Sequence, residues 1–234
     1  MTVIRLQNVV HTYRDSGLSA RTVLNIPLWQ ADAGEHILLR GQSGSGKTTL
    51  LNILAGLLTP TQGEVTIAGQ VINTLSEAKR DRFRAQHIGY VFQTHNLLSF
   101  SALENVEMPL AFVGERPASR RQKAREALAQ VGLSDWAANY PHQLSAGQRL
   151  RVAVARASVS TPEILLADEP TAALDPDLAA QIMDLIQLVC HQRNATLIVA
   201  SHDPSIVTRF PRIIELRSTE LIESQQEPLR ERIQ

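Results

Sequence analysis

The stretch Gly41-Gln42-Ser43-Gly44-Ser45-Gly46-Lys47-Thr48 fits the spacing G-x-x-x-x-G-K-[ST] at every specified position. Glycine has no Cβ, so the backbone can bend until successive N–H groups point inward at phosphate oxygens. Lys47 adds a positive charge for the terminal phosphates, and Thr48 offers a hydroxyl to Mg²⁺. The flanks match the requirement. Ile37-Leu38-Leu39 is a short apolar run suited to a buried strand, while Leu50, Leu51, Ile53, Leu54, Leu57 and Leu58 recur at helical spacing. The order is therefore strand, glycine loop, helix, and the helix N-terminus adds a partial positive charge. An ordinary Gly/Ser-rich connection would not come with both flanks.

Composition narrows the classes. With 234 residues, 44% of them apolar, the chain has material for a packed core, which excludes disordered and collagen-like classes. The 23 basic and 23 acidic residues cancel, so no global electrostatic argument favours nucleic acid, and none is expected as a partner. No run approaches the ~18 apolar residues of a membrane span, and Met1-Thr2-Val3-Ile4-Arg5-Leu6-Gln7 lacks an export signal's basic region and apolar block. The chain is expected in the cytoplasm, working at a membrane only through partners that span it. Cys190, among Ile186, Leu188 and Val189, reads as a small buried hydrophobe.

In chain order, residues 3–10 read as a strand ending near His11-Thr12-Tyr13, before the polar stretch Arg14-Asp15-Ser16-Gly17. Tyr13 at a strand end suits either stacking on a base or half-burial. Beyond the cradle, Glu64-Val65-Thr66-Ile67-Ala68-Gly69 alternates as an antiparallel strand does, residues 76–86 form a charged helix with Ser76 as N-cap, and Ile88-Gly89-Tyr90-Val91-Phe92 is a strand ending on Gln93. From residue 94 to 160 the pattern is helical, an inserted subdomain. Its first part, Leu97 to Val113, has more apolar residues than a surface loop needs and serves either the core or another chain. The basic helix opening at Ser119-Arg120-Arg121-Gln122-Lys123 is either a solvated face or a lipid-headgroup site. Leu144-Ser145-Ala146-Gly147-Gln148 then precedes a new helix, a second place able to bind an anion.

The parallel-sheet pattern returns in Ile164-Leu165-Leu166-Ala167, running into Asp168-Glu169: one carboxylate to hold Mg²⁺, one to orient water. A helix over 176–193, the strand Thr196-Leu197-Ile198-Val199-Ala200 ending at Ser201-His202-Asp203, and a final strand Ile213-Ile214-Glu215-Leu216 that closes the sheet complete the reading. Residues 226–234 are a polar tail.

Tyr13, the cradle, Gln93, Leu144 to Gln148, Asp168-Glu169, Ala173-Leu174-Asp175 and His202, taken in order, resemble the ATP-binding subunits of ABC transporters over nearly the whole chain. Phe83-Arg84, Ile88 to Gln93, Asn96-Leu97-Leu98 and Ala102-Leu103-Glu104-Asn105-Val106 look like the branch serving lipoprotein-releasing systems, macrolide-type exporters and the cell-division ABC ATPase. The implied fold is α/β: a P-loop NTPase with a RecA-like, mostly parallel sheet, an N-terminal antiparallel β layer and an inserted α-helical subdomain. It would form one domain over 1–225, with 1–93 and 161–220 as catalytic core and 94–160 as the helical part.

The resemblance implies an ATPase that powers transport, with ATP and Mg²⁺ as cofactors. By it, Tyr13 stacks on adenine, residues 41–48 and Thr49 hold the phosphates, Thr48, Gln93 and Asp168 coordinate Mg²⁺, Glu169 takes a proton from the attacking water, and His202 positions that water. It further implies a head-to-tail dimer in which Ser145, Gly147 and Gln148 of one copy complete the site of the other, with Asp175 at the same interface. Residues 93–113 would contact a transmembrane permease at the cytoplasmic face of the inner membrane, and a periplasmic adaptor would join through that permease. Exporter or lipid- and lipoprotein-handling subunit is the leading reading; an ATP-gated signalling module of the cell-division type is the alternative. A soluble repair or translation ATPase fits less well, because the chain has neither a long coiled-coil insertion nor a second cassette. Two positions depart from expectation: Ala146 stands where the signature commonly has a second glycine, and Arg40 ends an otherwise apolar strand.

Overall fold

The structure is a computed structural model that describes residues 1–13, 20–172 and 174–224. The polar stretch after Tyr13, Ala173 and the tail 226–234 lie outside the described residues.

Strand β1 (Thr2–Tyr13) alternates buried Ile4 and Leu6 with exposed Arg5, and pairs antiparallel with β2 (Arg21–Asp32). Pairing runs on to Tyr13 opposite Arg21, where the sequence placed the strand end. Then come β3 (His36–Arg40) and helix α1 (Lys47–Leu54), which begins inside the glycine motif. Leu57 and Leu58 do not continue α1 as their spacing suggested. Gly56 turns the chain at φ 65° and leaves Leu57 45% exposed. Strands β4 (Gln62–Ile67) and β5 (Gln70–Val71) return to the first sheet, giving the order β2-β1-β4-β5.

Helix α2 (Glu77–His87) has Ser76 at its N-cap position, although the Ser76 side chain makes no capping bond. It leads into β6 (Ile88–Val91). The helical stretch comprises α3 (Ala102–Phe112), α4 (Pro117–Gln130) and α5 (Ala146–Ser158). Capping boxes start two of these helices, Ser101 with Glu104 on α3 and Ser145 with Gln148 on α5. After them come β7 (Ile164–Asp168), α6 (Pro176–Gln192), β8 (Thr196–Ala200) and β9 (Arg212–Arg217).

The second sheet has the order β10-β9-β3-β8-β7-β6, where β10 is Glu220–Ser224. The other five strands run parallel. The strand at Ile213 to Leu216 therefore does not close the sheet: β9 turns back through Ser218 and Thr219, both at positive φ, and β10 forms the edge. No glycine or asparagine marks this hairpin turn, so the sequence carried no signal for it. Arg40 finds its reason here, since its register partner on β9 is Glu215, whose carboxyl pKa is lowered first by Arg217 and also by Arg40.

The two-residue period of β3 divides the core. Leu39 packs on one face with α1 and the first sheet, among Ile4, Leu51 and Ile53, and Leu38 on the other with α5 and α6, among Val154 and Ile182. Cys190 belongs to the second cluster, and burial pushes its thiol up to about 12. Because β3, β6, β7 and β8 are parallel, their carboxyl ends share one edge of the sheet, where the cradle, Gln93, Asp168-Glu169 and His202 all emerge.

Candidate nucleotide site

The glycine loop curls around its own lysine. Lys47, the first residue of α1, is buried, and its Nζ donates to the carbonyls of Gly41 at 2.9 Å and Gln42 at 3.2 Å. Gly46 takes φ 108°, and a Cβ there would stand 3.1 Å from the Val23 carbonyl oxygen, so this turn needs glycine. Ser45 Oγ is buried without a partner. A cavity of about 460 Å³ opens beside the loop, lined by Tyr13, Arg21, Val23, Gly44, Gly46, Thr48 and Thr49. The Tyr13 ring is 47% exposed at this cavity, its hydroxyl 3.2 Å from Thr49 Oγ1 and its edge held by the buried His11 ring at 4.7 Å. An orphaned hydroxyl, a helix N-terminus and a buried lysine suit a polyphosphate, and a half-exposed aromatic face suits a base.

Across the loop, Thr48 Oγ1 donates to Asp168 Oδ2 at 2.8 Å. Burial raises the Asp168 carboxyl pKa, the Thr48 hydrogen bond opposes that rise, and the neighbouring Glu169 adds to it. Glu169 sits in the left-handed region at φ 45°, held there by its N–H bonded to the Ala200 carbonyl at 2.9 Å. Its Oε1 lies 2.8 Å from His202 Nδ1 and 3.9 Å from Lys47 Nζ. The hydroxyl and carboxylate oxygens of Thr48 and Asp168 are donors suited to a hard divalent cation. Gln93 is exposed past the end of β6, one strand over from Asp168.

Ser145, Gly147, Gln148 and Asp175 stand apart. None lines the cradle cavity or bonds to a cradle residue. Ser145 Oγ accepts from the Gln148 N–H at 3.2 Å, and Asp175 caps α6 by accepting from the Leu178 N–H at 3.0 Å. Gly147 is buried against that cap: a Cβ on it would meet Leu178 Cδ2 at 2.9 Å. Ala146 is exposed at the first helical position, so its methyl sits in water and the backbone there is ordinary helix.

Sequence reasoning missed Arg21 and Val23 in the cavity wall, Asn105, and Arg156. Asn105 is fully buried and hydrogen-bonds the backbone of Leu98, Phe100 and Ser101. The only available signal for these last two was a polar side chain on an otherwise apolar helix face. A further cavity of about 720 Å³, lined by His87, Lys123, Glu163 and Arg193 among others, shares no residue with the cradle. Four of its ionic groups pair with one another, Lys123 with Glu115 and His87 with Glu163.

The ABC transporter family profile matches residues 24–172, a span that starts in β2 and runs through the glycine loop, the α5 turn and the two carboxylates. The chain belongs to the ABC transporter family. It is 42% identical to the lipoprotein-releasing system ATP-binding protein LolD of Chromohalobacter salexigens, over 94% of this chain and 93% of that one. It is 39% identical to the macrolide export ATP-binding/permease protein MacB of Hyphomonas neptunium, over 94% of this chain but 34% of that longer protein. The dimeric ATP-binding cassette MJ0796, solved in a post-hydrolysis state with ADP and Pi, superposes with a TM-score of 0.84 at 38% identity, covering 95% of this chain and 98% of the other. As a member of this family the chain is an ATP-binding, ATP-hydrolysing subunit of a transporter.

Proposed function

We propose that this ABC subunit drives export, or extraction from a membrane, of a lipid, lipoprotein or drug-like molecule by separate permease subunits. The observation that carries the proposal is a division of groups. The cradle, the Thr48–Asp168 pair and the Glu169–His202 pair meet at one sheet edge, while Ser145, Gly147 and Asp175 form a second cluster that, among the described residues, makes no bond to the cradle. A site so divided is completed by a second copy placed head to tail, as the dimeric relative suggests.

In this reading residues 1–225 form one ATPase domain, with 94–160 as its helical part. Tyr13 stacks on adenine. The N–H groups of 41–48 and Thr49 receive the phosphates, and Lys47 turns from its own loop carbonyls toward them. Thr48, Gln93 and Asp168 hold Mg²⁺. Bound MgATP supplies the phosphoanhydride and neutralises charge on its oxygens. Glu169 accepts the proton of the attacking water at Oε, and His202 keeps that carboxylate oriented through Nδ1. Ser145, the first-turn N–H of Gly147, and Gln148 close the opposite copy's site, with Asp175 beside them. Phosphoryl transfer then rests on position and charge, with no covalent intermediate.

Among the described residues no helix is long and apolar enough to cross a membrane. The permease contact is supported by an apolar groove of about 270 Å³ immediately before Gln93, lined by Leu57, Phe92, Met108, Pro109 and Phe112, the last 65% exposed. Docking there places the chain on the cytoplasmic face of the inner membrane, with any periplasmic adaptor reached through the permease. The names of the relatives, lipoprotein release and macrolide export, support this substrate class. Reconstitution with a candidate permease tests the proposal: ATP-dependent movement or extraction of lipoprotein or amphiphile is expected. Stimulated ATP hydrolysis without movement would instead assign the chain to control of a periplasmic activity.

A further inference from the structure

Helix α5 carries a cation that neither the cradle nor the carboxylates use. Arg156 lies between buried Ala155 and Ala157, and its Nη1 and Nη2 donate to the carbonyls of Asn96 and His95, each at 2.7 Å. Both acceptor residues are left-handed, His95 at φ 61° and Asn96 at φ 44°. Two consecutive non-glycine residues in that region stay there only when the surroundings over-determine them. The rest of the turn adds to the hold, for the His95 N–H bonds to the Phe92 carbonyl at 2.9 Å and Thr94 Oγ1 donates to Asn96 Oδ1 at 2.6 Å. The planar guanidinium presents two N–H donors in fixed geometry, one to each of the two adjacent carbonyls, a pre-organisation that a flexible ammonium stem lacks. Arg156 also lines the apolar groove with Phe92, Met108 and Phe112.

The turn so held begins at Thr94, directly after Gln93. The helix that holds it has 13 residues, a rod on the order of 20 Å long, and bears Ser145 at its other end. We infer that Arg156 is a positioning residue that ties the conformation of the turn after Gln93 to α5, so that Gln93 and Ser145 change place together. This rests on the reading of Gln93 as a Mg²⁺ ligand and of Ser145 as a contact between two copies. Through the fork, a displacement of Gln93 toward the metal draws on the C-terminal end of α5, and the helix carries it to the Ser145 turn. Occupancy of the groove beside Arg156 acts on the same joint from the membrane side.

The test measures the Mg²⁺ concentration that half-saturates ATP-driven dimerisation, by sedimentation, in the Glu169→Gln chain. It is repeated with Arg156→Lys, with Gln93→Ala and with both. Each single change is expected to raise that concentration about tenfold or more, and the pair no further than the larger single effect, because both interrupt one linkage. ATP affinity in EDTA should stay within about threefold in Arg156→Lys, since the cradle is untouched. Shifts that multiply in the double variant, or an unaltered Mg²⁺ requirement in Arg156→Lys, overturn the inference. Hydrogen exchange on the unsubstituted chain decides the matter if Arg156→Lys fails to fold. Adding Mg²⁺ to the ATP complex should change protection at 94–98 and at 145–148 together, and a change at 94–98 alone overturns it. If the Glu169→Gln parent with Arg156 intact does not dimerise at all, the two-copy reading has failed and takes this inference with it.

Discussion

Thr48 Oγ1 donates to Asp168 Oδ2 at 2.8 Å, joining the first turn of α1 to the end of β7 across 120 positions of sequence. The bond forms where a buried carboxyl has its pKa raised by desolvation, and it opposes that rise. In the nucleotide- and metal-free chain Asp168 should therefore titrate above the ordinary value of about 3.9. The Thr48→Ala variant should move it higher still. The sign for stability follows: the contribution of this carboxyl is most favourable below the unfolded pKa and is lost as pH rises through the raised folded pKa. Capacity to hold Mg²⁺ runs the other way, falling as acid protonates the group. Carboxyl-carbon NMR across the acid range checks this, and a pKa at or below the ordinary value refutes it.

Glu169 should be separable from nucleotide binding. Its backbone is held in place by the Ala200 carbonyl whatever the side chain does, so Glu169→Gln keeps the strand end intact. Hydrolysis should fall by about 10²–10⁴-fold, the usual share of a general base, with ATP still bound and the dimer longer-lived. A normal turnover rate would remove the assignment. His202→Ala should reduce turnover with little effect on affinity, since it touches Glu169 and no cradle residue.

Lys47 holds its loop closed in the absence of a ligand by bonding Gly41 and Gln42. Lys47→Ala removes both these bonds and the charge intended for phosphate. Nucleotide affinity should drop about 10-fold to 100-fold, the worth of a charge-assisted hydrogen bond, and hydrolysis should be lost. Calorimetric titration with ATP measures the first effect, and unchanged affinity would unseat the whole nucleotide reading.

The signature turn makes an asymmetric prediction. Gly147→Ala forces a Cβ to 2.9 Å from Leu178 Cδ2 and should cost about 1–3 kcal/mol by overpacking. Ala146→Gly at an exposed helix position should cost less than about 1 kcal/mol. Denaturant melts compare the two, and adding Leu178→Ala to Gly147→Ala should recover part of the loss. Equal effects would mean that the turn is less tightly packed on α6 than the geometry indicates.

The β9–β10 turn places Ser218 at φ 46° and Thr219 at φ 81°, while the Thr219 carbonyl accepts from the Asn25 N–H at 2.8 Å. Thr219→Gly keeps that backbone bond and removes the strain of a β-branched residue in the left-handed region. It should stabilise the fold by about 1 kcal/mol and raise Tm by about 2–4 °C. A lower Tm would show that the threonine side chain contributes more than its strain costs.

The sequence by itself determined which residue types the candidate site contains. The cradle is contiguous, and its requirement for glycines, a lysine and a hydroxyl is written in one stretch from Gly41 to Thr48. The apolar runs before Asp168 and before Ser201-His202 likewise announce strands whose ends carry reactive groups, because burial on both faces leaves only the strand end for polar side chains. The sequence did not reveal β10, whose turn lacks the residues that mark a hairpin, or the end of α1 at Leu54, where helical spacing of leucines ran past a glycine turn.

Tertiary structure alone decided which of these parts meet. It set β7 between β6 and β8, so that Gln93, Asp168 and His202 share one edge. It closed Gly147 against Leu178 while leaving Ala146 in water, and it brought Arg156 onto the carbonyls of His95 and Asn96 from 61 and 60 positions away. The reason is physical: hydrophobic period and turn chemistry act over a few residues, whereas strand order, close packing and a guanidinium's choice of carbonyls depend on which distant surfaces the folded core brings into contact.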